Sequence, residues 1–254
     1  MLSRKSPVKS PATHLYVDIS NSWIKFAPGN LEKIQPTQRV ETAKLTVTLI
    51  RSWRRQWPQA RMILSSVVPV RTALLRRVWG KDMHVLTHRS PMPITIDYPK
   101  PGRIGADRLA NAIAVKELYG GPAIVVDFGT AVTFDVVNER GSYIGGVIAP
   151  GLNVMMNYLY EKTALLPLVT LREPQHAIGK STEEAMRIGA VVGYRGLVME
   201  IVEKAGRELN APRGVRLVAT GGYAELIARE IPGLTVHPQL TLVGLQILAR
   251  LERK

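Results

Sequence analysis

Two carboxylates in this sequence stand at the ends of apolar runs and lead straight into short polar turns. In residues 124–137 (IVVDFGTAVTFDVV) the run ends at Asp127, Gly129-Thr130-Ala131 makes the turn, and a second apolar run leaves. In residues 14–27 (HLYVDISNSWIKFA) Asp18 takes the same step 109 positions earlier, ahead of Ser20, Asn21 and Ser22. Both stretches read as strand, turn, strand with the carboxylate at the strand end. Beside a glycine and a hydroxyl, such a group can help cradle a phosphate and position a cation. An ordinary hairpin with a solvated Asp has the same pattern. A third carboxylate, Asp107 in Gly105-Ala106-Asp107-Arg108, stands where an amphipathic helix begins. There it can serve as a general base beside an anion-binding Arg, or simply as an acid favoured by capping and the helix dipole.

The elements around these groups follow from periodicity. Leu45, Leu49, Trp53 and Trp57 recur every four residues and give a helix over 42–57, ended by Pro58. Residues 62–68 read as a buried strand, and 71–79 as a short helix stopped by Gly80. The helix from Asp107 carries Leu109, Ala112, Ile113 and Leu118 on or near one face, and Gly120-Gly121 ends it. That glycine pair is the best candidate boundary between halves, giving 14–120 and 121–254 after a basic, disordered tail at 1–13. Residues 174–181 nearly match a phosphate-binding P-loop, in an expected strand–loop–helix setting. Pro174 at the first position lacks the N–H and the backbone freedom such a loop needs. Ser181 with Glu184 reads instead as a capping box opening a helix over 182–209. Gly221-Gly222, between a strand at 215–220 and a helix at 223–230, permits close approach of a nucleotide. A last amphipathic helix spans 241–251.

Composition narrows the classes. The 254 residues include no Cys, which removes disulfides, thiolate metal sites and Cys nucleophiles. The five His are scattered with no ligand-pair spacing, and no apolar run of spanning length occurs, so neither a His-built metal site nor a membrane span is expected. The amino terminus reads as a basic tail rather than a signal peptide, so the cytoplasm is the expected location. The net charge of +14 fits either anionic small substrates or nucleic acid. Much of the excess sits on two expected helices, as Arg51, Arg54, Arg55, Arg71, Arg76 and Arg77, without any nucleic-acid-binding motif. A solvated helix face accounts for them more simply.

Taken in order, DISNSWIK (18–25), SSVVP (65–69), GADR (105–108), DFGTAVT (127–133), GGVIAPG (145–151), GKSTEEAM (179–186), TGG (220–222) and LTLVGLQIL (240–248) resemble the type III pantothenate kinase family. The resemblance covers residues from about 15 to the carboxyl end. It implies an α/β fold of the acetate kinase/Hsp70/actin-like type, two ribonuclease-H-like halves with a nucleotide cleft between them, and a homodimer whose substrate pocket is formed partly at the interface. It implies ATP-dependent phosphorylation of pantothenate with Mg²⁺ and a monovalent cation, K⁺ or NH₄⁺. The first phosphate loop corresponds to Asp18, Ile19, Ser20, Asn21, Ser22, Trp23, Ile24 and Lys25, with Asp18 near Mg²⁺ and Lys25 near the phosphates. Thr130 matches an ATP contact, and Gly221 and Gly222 the adenosine-side wall. Tyr98, Gly105, Ala106, Asp107, Arg108 and Thr182 match pantothenate contacts, Thr182 reaching from the neighbouring subunit and Asp107 accepting the proton. Asp127 matches the ligand of the monovalent cation. Ser20 departs from the family's usual glycine and adds a Cβ where glycine-only angles or close phosphate approach are expected. Two other readings compete: a non-catalytic regulator that turns the basic surface to nucleic acid, and a kinase for another small alcohol. Retention of Asp18, Asp107, Arg108 and Asp127 argues against the first. Tyr98, GADR and Thr182 favour pantothenate over the second.

Overall fold

The computed structural model describes residues 12–211 and 214–252. The basic tail expected over 1–13 therefore lies, through residue 11, outside the described residues. The chain runs β1 (His14–Ile19), β2 (Trp23–Gly29), β3 (Gln38–Glu41), α1 (Val47–Gln56), β4 (Arg61–Ser66), α2 (Pro69–Trp79) and β5 (Met83–Val85). It continues through β6 (Thr95–Ile96), α3 (Ala106–Tyr119), β7 (Ala123–Phe128), β8 (Ala131–Val137), β9 (Ser142–Pro150), α4 (Leu152–Lys162) and α5 (Thr182–Glu208). It ends with β10 (Arg216–Gly221), α6 (Ala224–Ala228), β11 (Leu234–Val236) and α7 (Leu240–Leu251).

The first sheet has the order β3-β2-β1-β4-β5, antiparallel across β3-β2-β1 and parallel across β1-β4-β5. The second repeats it as β9-β8-β7-β10-β11 with the same senses, and adds β6 beyond β9. The echo between the two carboxylates is thus a repeated sheet. Asp18 is the fifth residue of six-residue β1, and Asp127 the fifth of six-residue β7. Both strands are interior to their sheets, which explains why they read as near-continuous apolar runs. Each unit has the strand order and senses of a ribonuclease-H-like half.

The compact units part at Leu86/Thr87 rather than at Gly120-Gly121, and residues from Leu245 onward belong with the first. The reason is packing: α3 lies on β7 and β8, so the helix bearing Asp107 belongs to the second sheet. In the first unit Phe26 packs on Trp53 with ring centroids 4.4 Å apart, so the Trp stripe is core. Burying a ring like that of Phe26 contributes on the order of 2–3 kcal/mol. The helix expected over 42–57 becomes regular only at Val47. Before it, Thr42–Lys44 forms a 3₁₀ turn, with Thr42 Oγ1 donating to the Ser20 carbonyl at 2.7 Å. Leu118, expected on or near the same face as Leu109, Ala112 and Ile113, is exposed while those three are buried. No strand forms over 165–171, and the helix expected over 223–230 shrinks to α6. The capping box is present, offset by one residue: Ser181 accepts from the Glu184 N–H, and the Glu184 carboxylate accepts from the Lys180 N–H at 2.8 Å. No helix among the described residues is long and apolar enough to cross a membrane.

Candidate active site

In the second unit three carboxylates converge on the start of α3. Gly105 caps that helix without a side-chain bond, and Asp107 follows in its first turn. Its Oδ1 accepts the Arg108 amide hydrogen at 2.9 Å. Burial pushes the Asp107 carboxyl above the usual range and the neighbouring Asp127 charge adds to this, while the Arg108 hydrogen bond and charge oppose it. A carboxylate with raised proton affinity, held at a helix start, is suited to accept a proton.

Arg108 is fixed by residues that sequence reasoning did not single out. Its Nε donates to Asp135 Oδ1 at 2.6 Å and its Nη2 to the Phe134 carbonyl at 3.3 Å. Asp135 is fully buried on β8, and burial pushes its carboxyl up to about 7 against the pull of Arg108. Tyr143 of β9 stands under the Arg108 guanidinium at 5.8 Å from ring centroid to Cζ, and its hydroxyl makes a long 3.5 Å contact with Asp135. Tyr98 meets the Tyr143 ring edge-on at 6.3 Å. Pairing of β6 with β9, extended by the Asp97 N–H donating to the Tyr143 carbonyl, brings Tyr98 over Gly145. The Gly145-Gly146 pair serves the protein itself. A Cβ on Gly146 would lie 1.7 Å from the Phe134 oxygen and 2.7 Å from Arg108 Nη2.

Asp127, next to last in β7, is half-buried, with Thr133 and Thr220 as its register partners on the strands either side. Its Oδ2 accepts from Asn111 Nδ2 at 3.2 Å. Gly221, at φ +96°, lies so close that a Cβ there would come within 2.7 Å of Asp127 Oδ1 and 2.6 Å of the Phe128 backbone. Gly222 donates its N–H to the Phe128 carbonyl. The Gly129-Thr130 turn is backed by Gly151, whose N–H donates to the Thr130 carbonyl at 3.1 Å. Tyr98, Asp107, Arg108, Asp127 and Gly221 are therefore gathered in one unit. Thr182 stands exposed at the first position of α5, outside this network among the described residues.

In the first unit Asp18 is buried, in register with Lys25 on β2 and Ser65 on β4. The turn Ser20-Asn21-Ser22 follows. Its Ser20 hydroxyl donates to the Trp23 carbonyl at 2.8 Å, and Trp23 lies half-exposed under the Arg39 guanidinium. Ser20 does not adopt a positive φ: among the described non-glycine residues only Asn210 does. Strain from glycine-only angles is thus absent at Ser20. Ile19 and Ile24 point into the core, so only their backbone could meet a ligand. The discarded P-loop match also finds its explanation: a Cβ on Gly179 would lie 2.4 Å from the Ala185 nitrogen, so this glycine lets the loop close on α5.

The polar residues missed in the sequence left one usable signal. Asn111 interrupts the apolar stripe of α3 one turn after Asp107, and a buried amide there requires partners. Asp135 lacked even that, because nothing local shows that Arg108 of α3 packs against it.

Comparison with known proteins shows the family. A model of the type III pantothenate kinase family matches residues 14–204. A type III pantothenate kinase from Methylacidiphilum infernorum is 41% identical over 238 residues, covering 93% of this chain and 88% of the relative. Another from Akkermansia muciniphila is 45% identical over 243 residues, covering 94% and 99%. Among solved structures, a putative Baf family transcriptional activator from Campylobacter jejuni superposes with a TM-score of 0.65 at 17% identity, covering 94% of this chain and 98% of that one, a likeness of fold. The chain belongs to the type III pantothenate kinase family.

Proposed function

We propose that the protein transfers the γ-phosphoryl group of ATP to the primary hydroxyl of pantothenate, giving 4′-phosphopantothenate and ADP, the first step towards coenzyme A. The observation that carries the reading is the pairing of Asp107, of raised proton affinity, with an Arg108 held rigidly by Asp135. Asp107 orients the hydroxyl and takes its proton as the oxygen attacks phosphorus in line. Arg108 and Tyr98 hold the substrate, with Thr182 contributed by a second subunit. No covalent enzyme intermediate is needed.

Two ions fit the residues present. Mg²⁺ takes hard oxygen donors and keeps most of its waters, so the single carboxylate of Asp18, in register with Lys25, suits a water-mediated hold on a nucleotide-bound ion. On the other carboxylate, Gly221 keeps the side of Asp127 Oδ1 free of any Cβ, a cradle that suits a monovalent cation such as K⁺. When bound, the ions supply positive charge against the phosphoryl oxygens. A homodimer is supported by the apolar side chains left exposed on β9 and α4, among them Ile148, Tyr158 and Tyr160.

The test is direct. Purified protein with ATP, Mg²⁺, K⁺ and pantothenate is expected to yield phosphopantothenate and ADP in equal amounts by mass spectrometry. Absence of that product, with RNA or DNA retained instead at physiological salt, would overturn the reading in favour of a nucleic-acid-binding regulator.

A further inference from the structure

Asn111 is almost fully buried on α3, four residues after Asp107 and hence on the same helix face. Its two amide atoms have opposite partners. Nδ2 donates to Asp127 Oδ2 at 3.2 Å, and Oδ1 accepts from the Thr241 hydroxyl at 2.9 Å. With Asp127 Oδ2 as the acceptor, the NH₂ faces Asp127 and the carbonyl faces Thr241. Thr241, also buried, donates to that carbonyl, so the three groups form one consistent chain of hydrogen bonds. The start of α7, which belongs to the second unit, packs closely on α3. A Cβ on Gly244 would lie 2.0 Å from the Ala110 oxygen, so this first turn meets α3 at glycine distance beside the Thr241–Asn111 bond.

The consequence falls on the other oxygen of Asp127. With Oδ2 clamped, Oδ1 is held against Gly221 and towards Gly129, the two nearby positions without a side chain. We infer that Asn111 and Thr241 are positioning residues which present Asp127 Oδ1 to a monovalent cation and stop that carboxylate from rotating towards Asp107. The inference rests on the reading of Asp127 as the cation ligand given above. Partners of metal-ligating groups commonly carry this orienting role, and their loss typically costs about 10–100-fold in affinity for the ion.

The experiment titrates KCl at constant ionic strength, balanced with choline chloride, against wild type, Asn111→Ala, Thr241→Val and Thr241→Ser. Two readouts are taken: the KCl concentration giving half-maximal phosphopantothenate formation, and the KCl-dependent rise in melting temperature without turnover. Asn111→Ala is expected to raise the half-activating concentration roughly tenfold or more, and Thr241→Val to raise it by less. Both should blunt the melting shift, with Thr241→Ser close to wild type and the KM for pantothenate little changed. Thr241→Val keeps the side-chain shape, so it remains informative if Asn111→Ala folds poorly. A purely structural role would lower every melting temperature equally and leave the KCl titrations superimposed, which overturns the inference. A wild type that forms phosphopantothenate without any dependence on K⁺ overturns the cation reading and the inference with it. A wild type that forms none, yet shows the expected order of melting shifts, overturns the activity and leaves the clamp supported.

Discussion

At the residue scale the site depends on how burial and charge set proton affinities. Asp135 is raised mainly by burial, so its proton is bound more tightly in the folded chain than in the unfolded one. Linkage then gives the sign: this residue's contribution to stability is present at low pH and is lost as pH rises through about 7. Asp135→Asn carries no such titration. Relative to wild type, the variant should gain stability steadily between about pH 4 and pH 7, read from urea midpoints. A gain in the opposite direction would mean that the attraction of Arg108 outweighs burial. Ser20 offers a second test. Its backbone is unstrained and its hydroxyl is spent on the Trp23 carbonyl, so Ser20→Gly should leave the ATP KM within about twofold and lower stability by about 0.5–1 kcal/mol. A marked drop in ATP KM would show instead that the Ser20 Cβ crowds the phosphates.

At the scale of elements, close strand approach matters as much as the charged groups. Gly146 lets β9 lie against the Phe134 carbonyl beside the Arg108 fork. Gly146→Ala should cost on the order of 2–4 kcal/mol and reduce kcat/KM for pantothenate more than for ATP. Equal losses for both substrates would argue for a general disturbance. How far the sequence shows such features differs from element to element. The two strand–turn units were legible because interior strands read as apolar runs interrupted by a carboxylate next to their end, as at Asp18 and Asp127. The capping box at Ser181 and Glu184 was legible because its chemistry is local. The place of α3 was not, since Gly120-Gly121 marks a real helix end but does not reveal which sheet the helix packs on. Asp135 and Thr241 escaped for the same reason: their partners Arg108 and Asn111 lie 27 and 130 residues away.

At the scale of the whole molecule, part of the +14 charge is committed internally. Arg54 pairs with Asp82, Arg71 donates to the Leu45 and Ala43 carbonyls, Arg108 pairs with Asp135, and buried Arg195 grips Glu173 with two hydrogen bonds. Arg51, Arg55, Arg76 and Arg77 remain on the surface, where they suit the solubility of a protein acting on anionic substrates. Exposed Tyr158, Tyr160 and Ile148 predict a dimer by sedimentation, and Tyr158→Asp should shift it towards monomer with loss of pantothenate turnover. A wild-type monomer with full activity would refute the shared pocket. The central claim, that Asp107 accepts the proton of the substrate hydroxyl, is tested most directly by Asp107→Asn. That variant should bind ATP and melt like wild type while kcat falls by roughly a hundredfold or more. Phosphopantothenate formation at a rate near that of wild type would contradict the account.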